Sequence, residues 1–545
     1  HNNRFNNNIK EVLTVLRQRI WYNLPSKLLG RFFMDLYSFG FLLFLIILFI
    51  SYYTIFKNMQ WICLLIFSIA FYAFSGIYNL IYILLTATTV YYGTVLMQQM
   101  AGNFQKVSSN KNLDRVSRKK IKASIEKKRR IVFWTVIIIN FGMLALLKYC
   151  NPFKGGLLIP LGISFYIFTA IGYLIDIYFE KYDTESNFFK FLLFISFFPQ
   201  LIQGPINRYD KMKNQLYANR VVDWNRCKRA LVIILFGMLK KYAVANLLVD
   251  TISQILDNPT EDTPGAAIVI GILLYSAQQY ADFSGGIDMV MGIAELFGIK
   301  MMPNFRQPYF SVSLGDFWRR WHISLGAWMR DYVFYPLAIT KPMQKVGKWA
   351  KRHLNVHLGR VLPASIANIV VFFLVGLWHG AQWHFILWGL YNGIVIAFSD
   401  ICSPIFERVN HIFSIKPESK SLHLFRILRT FCVVNIGWYF DRIYDIKDCL
   451  MCMKNTVFSF RLEKLGSCMK PILDIVSRKA FIIAAISLII VFIDSVIKEN
   501  GRDTIELLDK CPAIIRWGVY YVVIFLVLCS FSFAIGAGGF MYANY

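Results

Sequence analysis

Charge is scarce in this chain, and its scarcity excludes an ordinary soluble domain. Only 17% of the 545 residues are Asp, Glu, Lys or Arg, against about 25% in soluble proteins. Acidic residues are the rarer sign, 32 against 59 Lys and Arg, for a formal net charge of +27. Cysteine is sparse and scattered, with no dense spacing in a short segment, which argues against a disulfide framework. Cys449 and Cys452 form a lone CxxC with no second pair at zinc-ribbon spacing, so packing is the expected role. His353 and His357 stand four apart, as on one helix face, yet no Glu follows the first as a metalloprotease helix requires. No metal site is expected. The chain also lacks a Walker loop, a GxGxxG opening a helix after a strand, and a GxSxG elbow. NTPase, dinucleotide-enzyme and hydrolase functions lose their support. No fixed-period repeat and no inverted pair of broken helices favours a secondary transporter.

Long apolar runs are what the chain has instead. Hydrophobic residues make up 56% of it and aromatics 17%, with mean hydropathy +0.47. Runs near the ~20-residue length that crosses a bilayer recur from Leu36–Phe56 to Trp517–Ile535. The expected fold is all-α and polytopic, with about 11 crossings plus re-entrant or interfacial helices. The positive charge clusters between the runs, most densely in Gln105–Arg130, and the positive-inside rule places that loop in the cytoplasm on anionic headgroups. Nucleic acid is therefore not an expected partner; membrane lipid is. Residues 1–33 are also basic, Asn-rich and followed by Met34. They read as a leader or an over-extended frame, without the apolar core of a secretory signal.

Ionisable groups inside apolar runs mark candidate chemistry, because burying them in a membrane is costly. His379 is the sharpest case, in FFLVGLWHGAQWHFILWGLYNG. Histidine accepts a proton near neutral pH, its unperturbed pKa being ~6.5. His322 lies in DFWRRWHISLGAWMRDY, where Trp318, Trp321, Leu325, Trp328 and Tyr332 recur at helical steps. One helix with an apolar stripe is expected there, with Arg319, Arg320 and Arg330 off the stripe. An interfacial helix with arginines reaching lipid phosphate explains the Trp and Arg set equally well. Upstream, Gln278, Gln279, Asp282, Ser284 and Asp288 interrupt an apolar helix, and Gly285–Gly286 would permit close backbone approach or a break. In FFPQLIQGPINRYDKM, Gln203 and Asn207 appear where the chain leaves the hydrocarbon, beside a Gly204–Pro205 turn. His384 falls on a different face from His379 and reads as a packing residue.

FPQLIQGPINRY, YADFSGGIDMVMGIAELFG, NFRQPYFSVSLGDFWRRWHISLGAWMRDYVFYPL and VGLWHGAQWHFILWGLYNG, in this order, resemble the membrane-bound O-acyltransferase family. The resemblance is nearest to its bacterial alginate O-acetylase branch and runs over nearly the whole chain from Met34. It implies helices around a central tunnel, where a cytoplasmic thioester donor meets an acceptor from the outer side. It implies a catalytic core at 34–440, preceded by the 1–33 extension and followed by a loop and further spans at 441–545. The family's essential histidine maps to His379 as general base, and its second histidine to His322 in support. Trp318, Arg319, Arg320, Trp321, Asp282, Gln203, Asn207, Trp378 and Trp383 are the expected substrate-binding residues. Trp378, Trp383 and Trp388 would wall out water, and Arg319 and Arg320 would meet donor phosphates. Gly286 and Gln203 depart from the family pattern, where an aromatic and a small residue are common.

The implied reaction is transfer of an acyl group, acetyl being expected, to a hydroxyl of an extracytoplasmic polysaccharide or its partner acetyltransferase. No bound cofactor is implied; the donor is acetyl-CoA or an acyl carrier. D-alanyl transfer to teichoic acid is the alternative within the fold, and a transporter or scaffold the alternative outside it. The implied location is a bacterial cell membrane.

Overall fold

The computed structural model describes residues 36, 38–108, 114–150, 160–414, 416, 418–475 and 477–533. The 1–33 extension and the glycine-rich end from 534 lie outside the described residues. Helices carry the fold, and among the described residues the only β pairing is an isolated bridge between Phe305 and Trp321. Among the described residues seven helices are long and apolar enough to cross a membrane, including Asn79–Lys106, Arg115–Tyr149, Val356–His379 and Trp383–Ile401, and three shorter apolar helices join them. This is a multi-pass membrane protein. Two further long helices, Gly265–Leu296 and Lys420–Arg442, fall short on hydropathy because Gln278, Gln279, Asp282 and Asp288 interrupt one and Arg426, Arg429 and Asp441 the other. Large apolar side chains such as Ile138, Ile489 and Phe525 are more than half exposed; hydrocarbon covers such faces, which water would not tolerate.

The described chain forms two compact units. One comprises residues up to Ile202 with 207–227 and 294–300, the other 203–206, 228–293 and 301 onward. The helices expected beyond residue 441 thus belong to the same unit as the histidine motifs. In the first unit, α1 (Phe39–Tyr53), α2 (Gln60–Phe74), α3 (Asn79–Ser108), α4 (Arg115–Ala145) and α5 (Ile163–Tyr178) supply the walls. Asp114 caps α4 by accepting from the Val116 and Ser117 amides, and that helix passes from a basic first half to an apolar second. Phe41, Phe44, Phe71 and Phe198 pack at ring separations of 5.5–6.1 Å, a contact geometry that adds to their area burial.

In the second unit, α6 (Trp224–Met238) continues through a π-turn, Leu239–Ala245, into α7 (Asn246–Leu256) and packs on α8 (Gly265–Leu296). The backbones approach so closely that a Cβ on Gly285 would lie 2.8 Å from the Gly237 carbonyl. Gly285 therefore permits contact, and α8 runs on unbroken. At this crossing Lys240 Nζ lies 2.7 Å from Asp288 Oδ2, and Lys241 donates to Asp282. The Lys241–Asp282 pair is almost wholly excluded from solvent.

Further helices of the unit include α9 (Leu314–Arg320), α10 (Ile323–Met329), the basic α11 (Lys341–His353), α12 (Val356–His379), α13 (Trp383–Ile401), α14 (Lys420–Arg442), α15 (Arg478–Glu499) and α16 (Ala513–Phe531). The α12–α13 hairpin is drawn together by glycine. A Cβ on Gly376 would meet the Phe385 carbonyl at 2.4 Å, and one on Gly389 the Phe372 carbonyl at 2.3 Å. Small residues at such crossings let membrane helices gain contact area that lipid cannot supply.

A buried pair stripped of one partner leaves an uncompensated charge, which costs about 3–5 kcal/mol, whereas replacing both by apolar groups is often neutral. Lys241→Met should therefore lower the melting temperature in detergent sharply, and Lys241→Met with Asp282→Leu should recover most of the loss. Thermal unfolding of the two variants beside the wild type checks this.

Candidate active site

The site begins at a broken helix. Ser313 caps α9 through the Asp316 amide, and the helix stops at Arg320. Trp321 is extended and His322 adopts a left-handed backbone, φ 48° and ψ 50°. This corrects the expected single Trp-striped helix, which here is two short ones. The competing partner is the segment at Asn304–Arg306. The Arg306 amide donates to the Arg320 carbonyl at 2.9 Å and the Ile323 amide to the Asn304 carbonyl at 3.0 Å. A non-glycine residue held left-handed costs on the order of 1–3 kcal/mol and persists where surroundings over-determine it.

Asn304 does that work. Its Oδ1 accepts from the Ser324 amide at 3.1 Å and from Ser324 Oγ at 2.8 Å, and lies 3.1 Å from His322 Nδ1. A backbone amide can only donate, so the atom facing it is the oxygen, and His322 Nδ1 must carry the hydrogen. In the neutral ring Nε2 is then the proton acceptor.

Aromatic rings connect the two histidines. The edge of Phe283 packs on His322 at 4.8 Å, and Trp378 lies 6.3 Å from the His322 ring and 4.8 Å from that of His379. Trp388 sits 5.0 Å beyond His379 and 5.5 Å from Trp318, whose Nε1 donates to Asn392 at 3.0 Å. His379 is buried in the last turn of α12, where the carbonyl end of the helix favours positive charge.

A cavity of about 850 Å³ opens against this cluster, its wall including His322, Trp318, Trp321, Phe372, Arg306 and Arg319. Arg330 also lines it, beside Tyr335. Exposed arginines and aromatic rings both line it. Neither Trp378 nor His379 is part of the wall.

The other expected residues divide. Trp318, Arg319 and Trp321 line the cavity. Arg320 instead pairs with Asp316 at 3.1 Å and with both carboxylate oxygens of Glu499 at 2.8 and 2.9 Å. Asp282 holds Lys241. Trp383 is 68% exposed at the start of α13. Gln203 is fully buried, with no hydrogen-bond partner for either amide atom among the described residues. Asn207 belongs to the first unit, where it donates to Gln200 at 3.1 Å. His384 Nδ1 lies 3.1 Å from the Phe440 carbonyl, a packing role as expected. The helix face expected for His353 and His357 does not form, because α11 ends at the first. Among the described residues no group of His, Cys, Asp and Glu is placed to hold a metal. Asn304, Phe283 and Arg306 escaped the sequence reading, since their roles arise from through-space pairing that no local pattern announces.

Residues 179–416 match the model of the membrane-bound O-acyltransferase family. The chain is 33% identical over 307 residues to a probable alginate O-acetylase of Azotobacter vinelandii, covering 56% of this chain and 54% of that protein. It is 29% identical over 371 residues to a peptidoglycan O-acetyltransferase of Helicobacter pylori, covering 59% and 64%. A teichoic acid D-alanyltransferase of Bacillus subtilis is 28% identical over 291 residues, covering 51% and 67%. The chain spans about half the length of the alginate O-acetylases it matches.

Burial pushes the His322 pKa down to about 3, while the unfolded ring titrates near ~6.5. The unfolded state therefore binds the extra proton, and stability is lost as pH falls below 6.5. At pH 5 the loss is about 2 kcal/mol. The melting temperature should drop between pH 7.5 and 5 more steeply in the wild type than in His322→Gln.

Proposed function

With residues 179–416 belonging to the membrane-bound O-acyltransferase family, we propose that this protein moves an acetyl group from cytoplasmic acetyl-CoA to a hydroxyl of an envelope polysaccharide, or of a partner acetyltransferase that serves it, across a bacterial plasma membrane. The observation that carries the proposal is a cavity lined by His322 together with Arg306, Arg319 and Arg330, with Trp378 6.3 Å from the His322 ring and 4.8 Å from that of His379. A thioester donor suits this lining, with phosphates for the arginines and an uncharged acyl arm for the rings. Arg306, Arg319 and Arg330 meet the phosphates as charge-assisted donors, and the arm runs along Trp318 and Phe372 toward His322.

Beside Trp378, His379 accepts the proton of the acceptor hydroxyl. The oxygen attacks the thioester carbonyl, the C–S bond breaks, and the proton passes from His379 to the departing thiolate. General base catalysis of this kind contributes about 10²–10⁴-fold. His322, neutral and fixed by Asn304, offers Nε2 as acceptor from the thiol side. The surrounding tryptophans exclude water, which would otherwise hydrolyse the thioester. Names of the relatives support both acetyl and D-alanyl chemistry; the alginate O-acetylases have the higher identity, which favours acetyl.

Purified protein in nanodiscs should turn over radiolabelled acetyl-CoA in the presence of a hydroxyl acceptor, and His379→Ala should reduce the rate about 10²–10⁴-fold. Turnover only with a charged carrier protein would replace acetyl by the D-alanyl reading. Equal rates in wild type and His379→Ala would overturn the role of His379. A smaller fall in Asn304→Leu, with donor KM little changed, is expected if Asn304 positions His322.

A further inference from the structure

α13 carries a polar side chain where hydrocarbon would serve the helix better. Asn392 is 3% exposed, on a helix apolar enough to cross a membrane, and asparagine is a poorer helix former than leucine or alanine. A buried amide costs free energy unless its ends find partners. Both ends do. Asn392 Nδ2 donates to the Trp388 carbonyl one turn earlier at 2.8 Å, and Oδ1 accepts from Trp318 Nε1 at 3.0 Å. An indole N–H can only donate, so the atom that meets it is the oxygen. The first bond stays within α13, where the carbonyl already serves the helix ladder. The second reaches another element, 74 residues away.

That element is α9, seven residues long and ended by the break before His322. A helix so short has little stability of its own. α13, by contrast, is pressed against α12: a Cβ on Gly393, next to Asn392, would come within 2.9 Å of the Ile369 backbone. The bond thus ties a short helix to a close-packed hairpin, and it also fixes a ring. Trp318 lines the donor cavity beside Phe372, at a ring separation of 5.3 Å. It packs on Trp388 at 5.5 Å, and Trp388 stands 5.0 Å from His379. Without the bond only ring packing would hold the indole, and other staggered χ1 angles would open to it.

We propose that Asn392 is a positioning residue for acyl transfer: by holding the Trp318 indole it keeps the thioester arm in line for the acceptor oxygen and keeps water from it. The inference rests on reading the arginine-lined cavity as the donor site. Asn392 is not part of the cavity wall; it acts through Trp318. When the indole turns, a water oxygen attacks the thioester carbonyl in place of the acceptor. The C–S bond breaks, the proton of water goes to the thiolate, and acetate and free thiol leave.

The ratio of acetyl transferred to acetyl hydrolysed tests this, measured on the full chain in nanodiscs with radiolabelled acetyl-CoA and a hydroxyl acceptor. A folding defect removes active enzyme and leaves the ratio alone, whereas a turned indole lowers it. Asn392→Leu, close in size and unable to accept, should lower the ratio about 2–10-fold, the range one neutral hydrogen bond is worth. Trp318→Phe keeps a ring without the N–H and should lower it similarly. The two together should do no worse than either alone, because each breaks the same bond. An unchanged ratio in Asn392→Leu, or falls that multiply in the double variant, would overturn the proposal. If Asn392→Leu does not fold, Trp318→Phe decides, and an unchanged ratio there overturns it. A wild type that consumes no acetyl-CoA would overturn the donor reading and this inference with it. Turnover that depends on His379, with the ratio unchanged in both single variants, would overturn this inference alone.

Discussion

Everything around the histidines depends on charge buried where charge is expensive. Lys240–Asp288 and Lys241–Asp282 tie the π-turn after α6 to the middle of α8, and the glycine contact of Gly237 with Gly285 brings the backbones close enough for them to meet. A buried pair is weak evidence for stability, because desolvation offsets the attraction. It is strong evidence for register, since sliding α8 by one residue would strand four charges in hydrocarbon. Asp282 is followed by Phe283, whose edge packs on His322. The position of the His322 ring is thus set, one residue away, by an electrostatic lock.

The two histidines are held by different means. His379 rides at the end of a membrane helix whose glycines seat it against Trp388, a rigid arrangement suited to fixed geometry. His322 sits in a left-handed break whose backbone is tied to Asn304, and the same asparagine sets its tautomer. Trp378 stands between them.

Much of this was legible in the chain. The scarcity of charge and the apolar runs announced a polytopic helical protein, and GLWHGA announced a histidine at the end of an apolar run, which the structure buries in the last turn of α12. The tight α12–α13 hairpin was not read from the sequence; it rests on Gly376 and Gly389, where a Cβ would collide with the facing backbone. The broken helix at His322 was not legible, because the Trp and Leu periodicity there is helical and only tertiary pairing with Asn304–Arg306 overrides it. Asp282 and Arg320 were visible as charges in apolar surroundings. Their partners Lys241 and Glu499 lie 41 and 179 residues away, a separation at which no local pattern distinguishes an ion pair from a ligand contact.

Sealed proteoliposomes with the protein inserted in one orientation test the account most directly. Labelled acetyl-CoA is supplied on the face bearing the basic α11 segment and a hydroxyl acceptor on the opposite face. Label should reach the acceptor only when donor and acceptor are on opposite sides, with the donor on the basic face. Transfer that requires both on one face would contradict two substrates meeting at Trp378 from the two sides of the membrane.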